Sequence, residues 1–280
     1  MKGLFEIAAG SVIGKEHSRV GKNNQDAYCY RSLSAGVVAV VCDGCSSGTH
    51  SEVGAKLGAP IVADVICEQL TDSGSPALYA EAFWEQVRQS SLVQLDKLLN
   101  LLGGDRVCTV RDYLLFTVVG VVLAPTETVL FAIGDGVIAL NDEVISLPSF
   151  LNNAPPYLSY GLISSAVAGL TSEDLKIQVH HRVPTRSVQS ILIGTDGVQD
   201  AIAAANHPLP GKSESVGKIS QFWEDDRYFK NPDCIRRRLT QMNHTITKPD
   251  WEARWIRQEG GLLPDDTTMV VIRRREKNEG

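Results

Sequence analysis

The chain has 280 residues, a formal net charge of −6 and a hydrophobic content of 43%. These values are ordinary for a globular protein and exclude a strongly basic, nucleic-acid-binding chain. The apolar runs fall short of the about 18 residues that cross a bilayer, so we expect neither nucleic acid nor a membrane as a partner. Of the six cysteines only Cys42 and Cys45 form a C-x-x-C pair, and no second pair follows to complete a zinc site. No secretory signal is visible, which predicts a cytoplasmic protein with free thiols.

The first half of the chain predicts one buried strand followed by long helices. Residues 36–42 are almost wholly apolar and rich in β-branched side chains, which indicates a strand covered on both faces. Residues 51–70 predict a helix that packs on that strand's sheet and is kinked or split at Pro60. A second helix is expected to begin at Ser75-Pro76, a capping serine followed by proline, and to end before Gly103-Gly104.

The next part of the chain is rich in predicted strands. Residues 113–123 and 128–133 predict a hairpin, and residues 137–140 and 144–147 predict another that turns at Asn141-Asp142. Three more strands are expected at residues 175–180, 190–195 and 268–272.

Between residues 200 and 261 the pattern changes to loops and helices. Residues 208–217 predict a loop, and residues 232–242 and 249–258 predict helices. We interpret this segment as a helical insertion or a final helical layer within one domain that spans residues 1–280. Many strands combined with a few long helices predict a layered α+β architecture.

Five aspartates stand beside predicted strands, and they are the residues that point to chemistry. They are Asp26, Asp43, Asp135, Asp196 and Asp265. The preference of aspartate for turns explains any one of them alone. If the strands share a sheet or sandwich, their ends converge on one edge, and carboxylates gathered there repel each other unless cations neutralise them. Oxygen ligands suit Mg²⁺ or Mn²⁺, and a pair of such ions can activate a water for attack on a phosphoryl group.

The same aspartates lie in short motifs whose order along the chain is specific. The motifs are Asn24-Gln25-Asp26-Ala27, Asp43-Gly44, Gly134-Asp135-Gly136, Thr195-Asp196-Gly197 with Asp200, and Asp265-Asp266-Thr267-Thr268. In this order and spacing they resemble the metal-dependent protein phosphatase family, type 2C, and most of all its compact bacterial branch. The resemblance extends from about residue 10 to residue 272, which is nearly the whole chain.

The resemblance implies a β-sandwich of two antiparallel sheets flanked by helices, a four-layer αββα fold with its metal centre at one edge. It also implies that Asp43 bridges two core Mn²⁺ or Mg²⁺ ions and that the Gly44 carbonyl binds one of them. By the same likeness, Asp196 and Asp265 hold the other core ion. Asp43 and Asp196 are therefore the expected catalytic residues.

Three further positions follow from the resemblance alone. Asp26 is expected to act through a metal-bound water, and Asp135 is expected to hold a third, weaker ion together with Asp196. The segment that follows Asp200 falls near the place where bacterial members carry a mobile flap beside the active site. Residues 200–261 are therefore expected to be flap-like.

The chain departs from the family pattern where the substrate phosphate is bound. Many members have an arginine five residues before the first-motif aspartate, and this chain has Gly21 there. Arg19 and Lys22 stand nearby as candidate substitutes. Some members have a histidine near the second motif as a general acid, whereas here Cys45 follows Asp-Gly, with His50 as an alternative proton donor.

Other features leave alternatives open. His17 and His50 flank the first two motifs, and a structural role is as open as a role in the site for each. Because Gly21 and Cys45 replace family residues, a catalytically silent regulatory or binding module is the second hypothesis beside an active phosphatase. Hydrolysis of a small phosphorylated metabolite is the third. The first hypothesis implies a phosphorylated protein as substrate and a cognate serine/threonine kinase as a further partner.

Overall fold

The structure, a computed structural model, describes residues 3–72, 78–148, 150, 154–163, 167 and 169–275. The strands are β1 (Phe5–Val12), β2 (Asp26–Ser32), β3 (Val37–Asp43), β4 (Val118–Leu123), β5 (Glu127–Ile133), β6 (Val137–Leu140), β7 (Glu143–Ser146), β8 (Gln178–Pro184), β9 (Ser190–Gly194), β10 (Ile246–Asp250), β11 (Trp255–Glu259) and β12 (Thr267–Arg274). The helices are α1 (Lys15–Arg19), α2 (Ser51–Asp72), α3 (Glu81–Leu102), α4 (Arg106–Thr109), α5 (Gly197–Ala203), α6 (Gln221–Glu224), α7 (Arg227–Lys230) and α8 (Cys234–Met242).

Two antiparallel five-stranded sheets form the centre of the molecule. One sheet has the strand order β1-β12-β9-β6-β7, and the other has the order β2-β3-β4-β5-β8. Their facing sides share one apolar cluster, in which Val41 and Val121 of one sheet meet Ile193 and Val270 of the other. Helices α2 and α3 cover the outer face of the second sheet, and α5 to α8 cover that of the first. The predicted four-layer αββα sandwich is therefore confirmed.

Strand β3 shows why a central strand of this fold is apolar on both sides. Val38, Val40 and Cys42 belong to the cluster formed with α2 and α3. Val37 and Val41 alternate with them and belong to the cluster between the two sheets. Since successive strand residues point to opposite faces and both faces are covered, an alternating polar pattern would leave polar groups buried.

The two long helices lie where the sequence predicts them, with two differences. Helix α2 continues without interruption from Ser51 to Asp72 with Pro60 inside it, so the predicted split is wrong. The burial of Ala59 and Val62 beside the proline explains why the lost backbone hydrogen bond is tolerated. The predicted start at Ser75-Pro76 lies outside the described residues, but Ala80 is extended and helix α3 begins only at Glu81, so the predicted continuous helix from residue 75 is wrong. Helix α3 ends at Gly103, whose φ of 73° is the left-handed conformation that glycine adopts readily.

Two predicted strands have different bounds in the structure, and one strand was not predicted. Strand β4 begins at Val118 rather than at residue 113, because residues 110–114 form a π-helical turn. Strand β8 spans Gln178–Pro184 and is therefore displaced from the predicted 175–180. Strand β1 was not predicted, since Gly10 and Ser11 weaken its apolar pattern, yet it pairs with β12 along its whole length.

The segment from 200 to 261 is only partly helical. The helix predicted at 232–242 is confirmed as α8, but the helix predicted at 249–258 is wrong, because β10 and β11 form an antiparallel hairpin there. Pro249 lies within that hairpin, and Arg254, with φ of 52°, closes its turn. Within the ranges given above, no helix combines the length and apolar character that a membrane crossing needs.

Candidate metal centre

The strands bring the five predicted aspartates to one edge of the sandwich. Asp26 begins β2 and Asp43 ends β3, and the two residues are direct partners in the antiparallel ladder. Asp135 follows β5 and Asp196 follows β9, each after one intervening residue, while Asp265 lies just before β12. Because β12 pairs with β9, the loops that carry Asp196 and Asp265 are neighbours. Strand ends that are far apart in the chain therefore meet in space.

A cleft of about 290 Å³ opens between these loops. Its lining includes Asp43, Gly44, Cys45, Asp135, Tyr157, Asp196 and Asp265. Asp26 lies beneath this surface and is 3% exposed. An adjoining cleft of about 380 Å³ shares His17, Asp196 and Asp265 with the first and adds Asp200 to its lining. Four of the five predicted aspartates thus face solvent-accessible space, and the fifth, Asp26, is buried beneath them.

Two buried carboxylate oxygens at this edge are left without partners. Oδ2 of Asp26 accepts a hydrogen bond of 2.8 Å from Oγ1 of Thr195. Oδ1 of Asp26 and Oδ1 of Asp196 are buried, and neither has a hydrogen-bond partner among the described residues. A buried polar atom without a partner is costly, so such atoms point to a ligand that completes the site.

Charge crowding shifts the acidity of these groups. Burial raises the pKa of Asp43 well above its ordinary value, and the charges of Asp26, Asp196 and Asp265 raise it further. Burial, followed by the charge of Asp196, raises the pKa of Asp135 to about 6. Each group resists ionisation because its neighbours are carboxylates and water is partly excluded. Divalent cations among them would reverse this effect.

The donor set fits hard divalent cations. Carboxylate oxygens and a backbone carbonyl are the ligands that Mg²⁺ and Mn²⁺ prefer. Gly44 lies where a side chain has no room, because a Cβ atom there would stand 2.7 Å from the carbonyl oxygen of Gln25 and 2.9 Å from that of Ser51. Glycine is therefore needed for the backbone at residue 44 to pack against the carbonyls of Gln25 and Ser51.

Asp266 fixes the loop that carries Asp265, a role not assigned from the sequence. Its Oδ1 accepts the backbone N–H of Gly14 and its Oδ2 accepts that of Gln25, both at 2.6 Å. The residue is 2% exposed. Asp266 thereby ties the loop before β12 to the segments that precede α1 and β2. The signal in the sequence was the pair of adjacent aspartates before an apolar strand, of which only the first was assigned.

His17 stands beside this loop and lines both clefts. Its Nδ1 is 3.0 Å from Oδ2 of Asp266 and 3.8 Å from Oδ1 of Asp265. The side chain is 12% exposed. Ligand atoms of these three residues lie within 4.8 Å of one another, a spacing that can hold a metal ion.

The structure separates the candidates for phosphate binding and proton donation. The Arg19 side chain is 74% exposed and forms an ion pair with Glu16. Nζ of Lys22 donates to the carbonyl oxygen of Ser46, a residue that lines both clefts. Cys45 lines the cleft of about 290 Å³, and its Sγ is 3.1 Å from Oγ of Ser47.

His50 lies to one side of these groups. Its ring packs against the ring of Tyr113 with a centroid distance of 5.1 Å. Its Nδ1 is 3.9 Å from a carboxylate oxygen of Glu52, and the side chain is 49% exposed. Among the described residues, those that line the two clefts do not include His50 or Arg19.

Comparisons with known proteins agree with the fold. The family model for protein phosphatase 2C matches residues 13–231. A crystal structure of the serine/threonine phosphatase Stp1 from Staphylococcus aureus superimposes with a TM-score of 0.54 at 12% identity, covering 98% of this chain and 96% of that chain. The crystal structure of a bacterial serine phosphatase that bears a single arginine-to-alanine mutation gives a TM-score of 0.55 at 11% identity, with 97% of this chain and 99% of that chain covered.

A third solved structure contains bound metal ions. It is the catalytic domain of the serine/threonine protein phosphatase PstP in complex with 2 manganese ions, with a TM-score of 0.48, 14% identity, and coverage of 98% of this chain and 99% of that chain. No curated protein sequence matches the chain.

Proposed function

The chain belongs to the protein phosphatase 2C family, and from this premise we propose that it is a metal-dependent serine/threonine phosphoprotein phosphatase. The proposed reaction is hydrolysis, in which water displaces the serine or threonine hydroxyl of a phosphoprotein from phosphorus. The observation that carries the proposal is the meeting of Asp43, Asp135, Asp196 and Asp265 on one cleft. Asp26 supports it, because its buried Oδ1 finds no partner in the described part of the chain.

The proposed ligands follow the positions of the carboxylates. Asp43 and the Gly44 carbonyl would hold one Mg²⁺ or Mn²⁺ ion, and Asp43, Asp196 and Asp265 would hold a second. Asp135 with Asp196 would hold a third, and Asp26 would orient a water within this group. When bound, such ions lower the pKa of water and neutralise charge on phosphoryl oxygens.

The remaining residues of the cleft would position the substrate. Tyr157 forms part of the wall and is 4% exposed, so the wall on that side is fixed by packing. Lys22, held on the carbonyl of Ser46, places a positive charge beside the cleft where a phosphate oxygen can bind. Cys45 is the proposed donor of the proton that the departing hydroxyl takes up, since its Sγ faces the same cleft.

The cellular setting forms part of the same proposal. The described cysteines are all free thiols, which suits a reducing compartment such as the cytoplasm. A cognate serine/threonine kinase would supply the phosphorylated substrate. The segment 200–261 would border the cleft as a flap, because Asp200 at its start lines the adjoining cleft.

A second function is favoured by one observation. Among the described residues that line the two clefts, none is lysine or arginine. Gly21 occupies the family's arginine position, and in the described structure nothing lies within 4 Å of where its Cβ would be. A catalytically silent regulatory module that binds metal and a protein partner would have these properties.

The hydrolysis of p-nitrophenyl phosphate at slightly alkaline pH, with and without Mn²⁺, tests the proposal. We expect metal-dependent turnover by the wild type and its loss in Asp43→Asn. Asp64→Asn is the matched control, since Asp64 lies on α2 in a surface ion pair with Arg31. Metal binding without turnover would favour the silent module. Competition by a phosphopeptide would separate phosphoprotein hydrolysis from hydrolysis of a small metabolite.

A further inference from the structure

His17 has an environment that a purely structural histidine does not need. It lies on α1, a short helix that carries only five residues, and its side chain is 12% exposed between two clefts. Asp196 and Asp265 line the same two clefts. The ring therefore lies at the metal centre itself and not in the apolar core.

The nitrogen that points inward has no hydrogen-bond partner. Nδ1 is buried and, across the described residues, neither donates nor accepts a hydrogen bond. Asp266 is close, with its Oδ2 at 3.0 Å, but the direction of the contact is not that of a hydrogen bond. Both oxygens of Asp266 already accept short backbone bonds from Gly14 and Gln25. The lone pair of Nδ1 is thus available to another ligand.

The distance from this nitrogen to Asp265 suits a shared cation. Nδ1 is 3.8 Å from Oδ1 of Asp265. Two ligand atoms, each about 2.1 Å from one metal ion, stand at most about 4.2 Å apart. Oδ1 of Asp265 also accepts the backbone N–H of Asp266 at 2.8 Å, which holds the carboxylate in place. A bound ion can therefore contact both atoms without a change of the loop.

We propose that His17 is a nitrogen ligand of the divalent cation that Asp265 holds. This inference rests on the proposed metal centre, and it gives that centre a mixed donor set of carboxylates with one imidazole. The buried carboxylate of Asp266, 3.0 Å from Nδ1, then adds negative charge beside the ion.

A histidine ligand affects which metal ion the site prefers. Mg²⁺ requires oxygen ligands and gives up its waters reluctantly, whereas imidazole suits first-row transition metals. One nitrogen ligand therefore favours Mn²⁺ over Mg²⁺. We expect His17→Ala to weaken Mn²⁺ binding by at least about 10-fold, which is the usual minimum for removing even a residue that supports a ligand. Binding of Mg²⁺ should weaken by a smaller factor.

The test is pulsed electron paramagnetic resonance on the full, untagged chain loaded with Mn²⁺, combined with calorimetric titration of Mn²⁺ and Mg²⁺. We expect a nitrogen-14 coupling to Mn²⁺ in the wild type and in the control variant His50→Ala, and its loss in His17→Ala. His17→Asn keeps a polar side chain of similar size in case the alanine variant does not fold. It should also lose the nitrogen coupling, and it should narrow the preference for Mn²⁺ over Mg²⁺.

The outcomes distinguish this inference from the proposed phosphatase activity. A nitrogen coupling in a protein that hydrolyses no phosphoester would support the histidine ligand and refute the phosphatase. Metal-dependent hydrolysis without a nitrogen coupling would refute the ligand and leave the phosphatase intact. A coupling that persists in His17→Ala, or a wild type that binds no Mn²⁺, would also overturn the assignment of His17.

Discussion

Replacement of Asp135 by asparagine should stabilise the metal-free protein at neutral pH. Asp135 follows β5 in the metal cleft, and burial, with the charge of Asp196 as second cause, raises its pKa to about 6. Its pKa in the unfolded chain is near 3.9. Since the folded-state value is the higher one, ionisation destabilises the fold, and this effect is absent below about pH 4 and complete above about pH 6. The neutral amide of Asp135→Asn removes it.

The magnitude follows from the two pKa values. A rise from the ordinary 3.8 to about 6 corresponds to about 3 kcal/mol at 1.36 kcal/mol per unit. Because Asp135 is only partly buried, solvent screens the interaction, and we expect about 1–2 kcal/mol. The gain should be nearly constant above about pH 6 and should shrink as the pH falls from about 6 towards about 4.

Urea unfolding in the presence of a chelator measures this gain at several pH values. Asp233→Asn is a control with the opposite sign, because hydrogen bonds from Arg236 and Arg237 lower the pKa of Asp233 to about 2 and its carboxylate stabilises the fold when ionised. A variant Asp135→Asn that is less stable than wild type at neutral pH, or whose gain does not change with pH, would refute the reasoning. Added Mn²⁺ should stabilise the wild type more than the variant.

Three further predictions concern the same edge of the sandwich. Mn²⁺ should raise the melting temperature of the wild type and raise that of Asp196→Asn much less in a differential scanning experiment, whereas equal shifts would place the metal elsewhere. Gly14→Ala should destabilise the fold by about 1–3 kcal/mol or more, because the new Cβ would lie 2.4 Å from the backbone before β12. Gly260→Ala is its control, because nothing in the described structure lies within 4 Å of a Cβ at residue 260. Similar unfolding curves for the two variants would contradict the predicted steric clash at residue 14. Lys22→Ala should raise KM for a phosphopeptide and leave Mn²⁺ affinity unchanged, since Lys22 bonds to Ser46 and, among the described residues, forms no ion pair with a carboxylate. An unaltered KM would exclude Lys22 from phosphate binding.

The strands of the sandwich were largely predictable because the fold buries both faces of its central strands. Residues 36–42 and 190–195 are continuous apolar runs for this reason, and the structure has β3 and β9 there. The aspartates were found by the same logic, since polar residues directly after such strands lie at the sheet edge. The order of the motifs along the chain indicated the family and, through it, the strand topology. Local apolar patterns alone do not determine that topology.

Other features depend on contacts that the sequence does not display. Every residue of β11 is exposed, so its sequence does not alternate between apolar and polar side chains. The pattern that identifies a half-buried strand is therefore missing from the β10–β11 hairpin. Strand β1 is specified by its pairing with β12, which lies at the opposite end of the chain. The role of Asp266 likewise depends on two backbone N–H groups from Gly14 and Gln25, at sequence separations of 252 and 241 residues. Only the folded chain brings these partners together.

The most direct test of the central claim is the release of phosphate from phosphoserine and phosphothreonine peptides by the Mn²⁺-loaded protein in water enriched in oxygen-18. The account predicts metal-dependent release with one oxygen-18 atom per phosphate, because water attacks phosphorus, and no release by Asp43→Asn. A folded protein that binds Mn²⁺ but releases no phosphate would contradict it, as would release that is independent of metal or unchanged in Asp43→Asn.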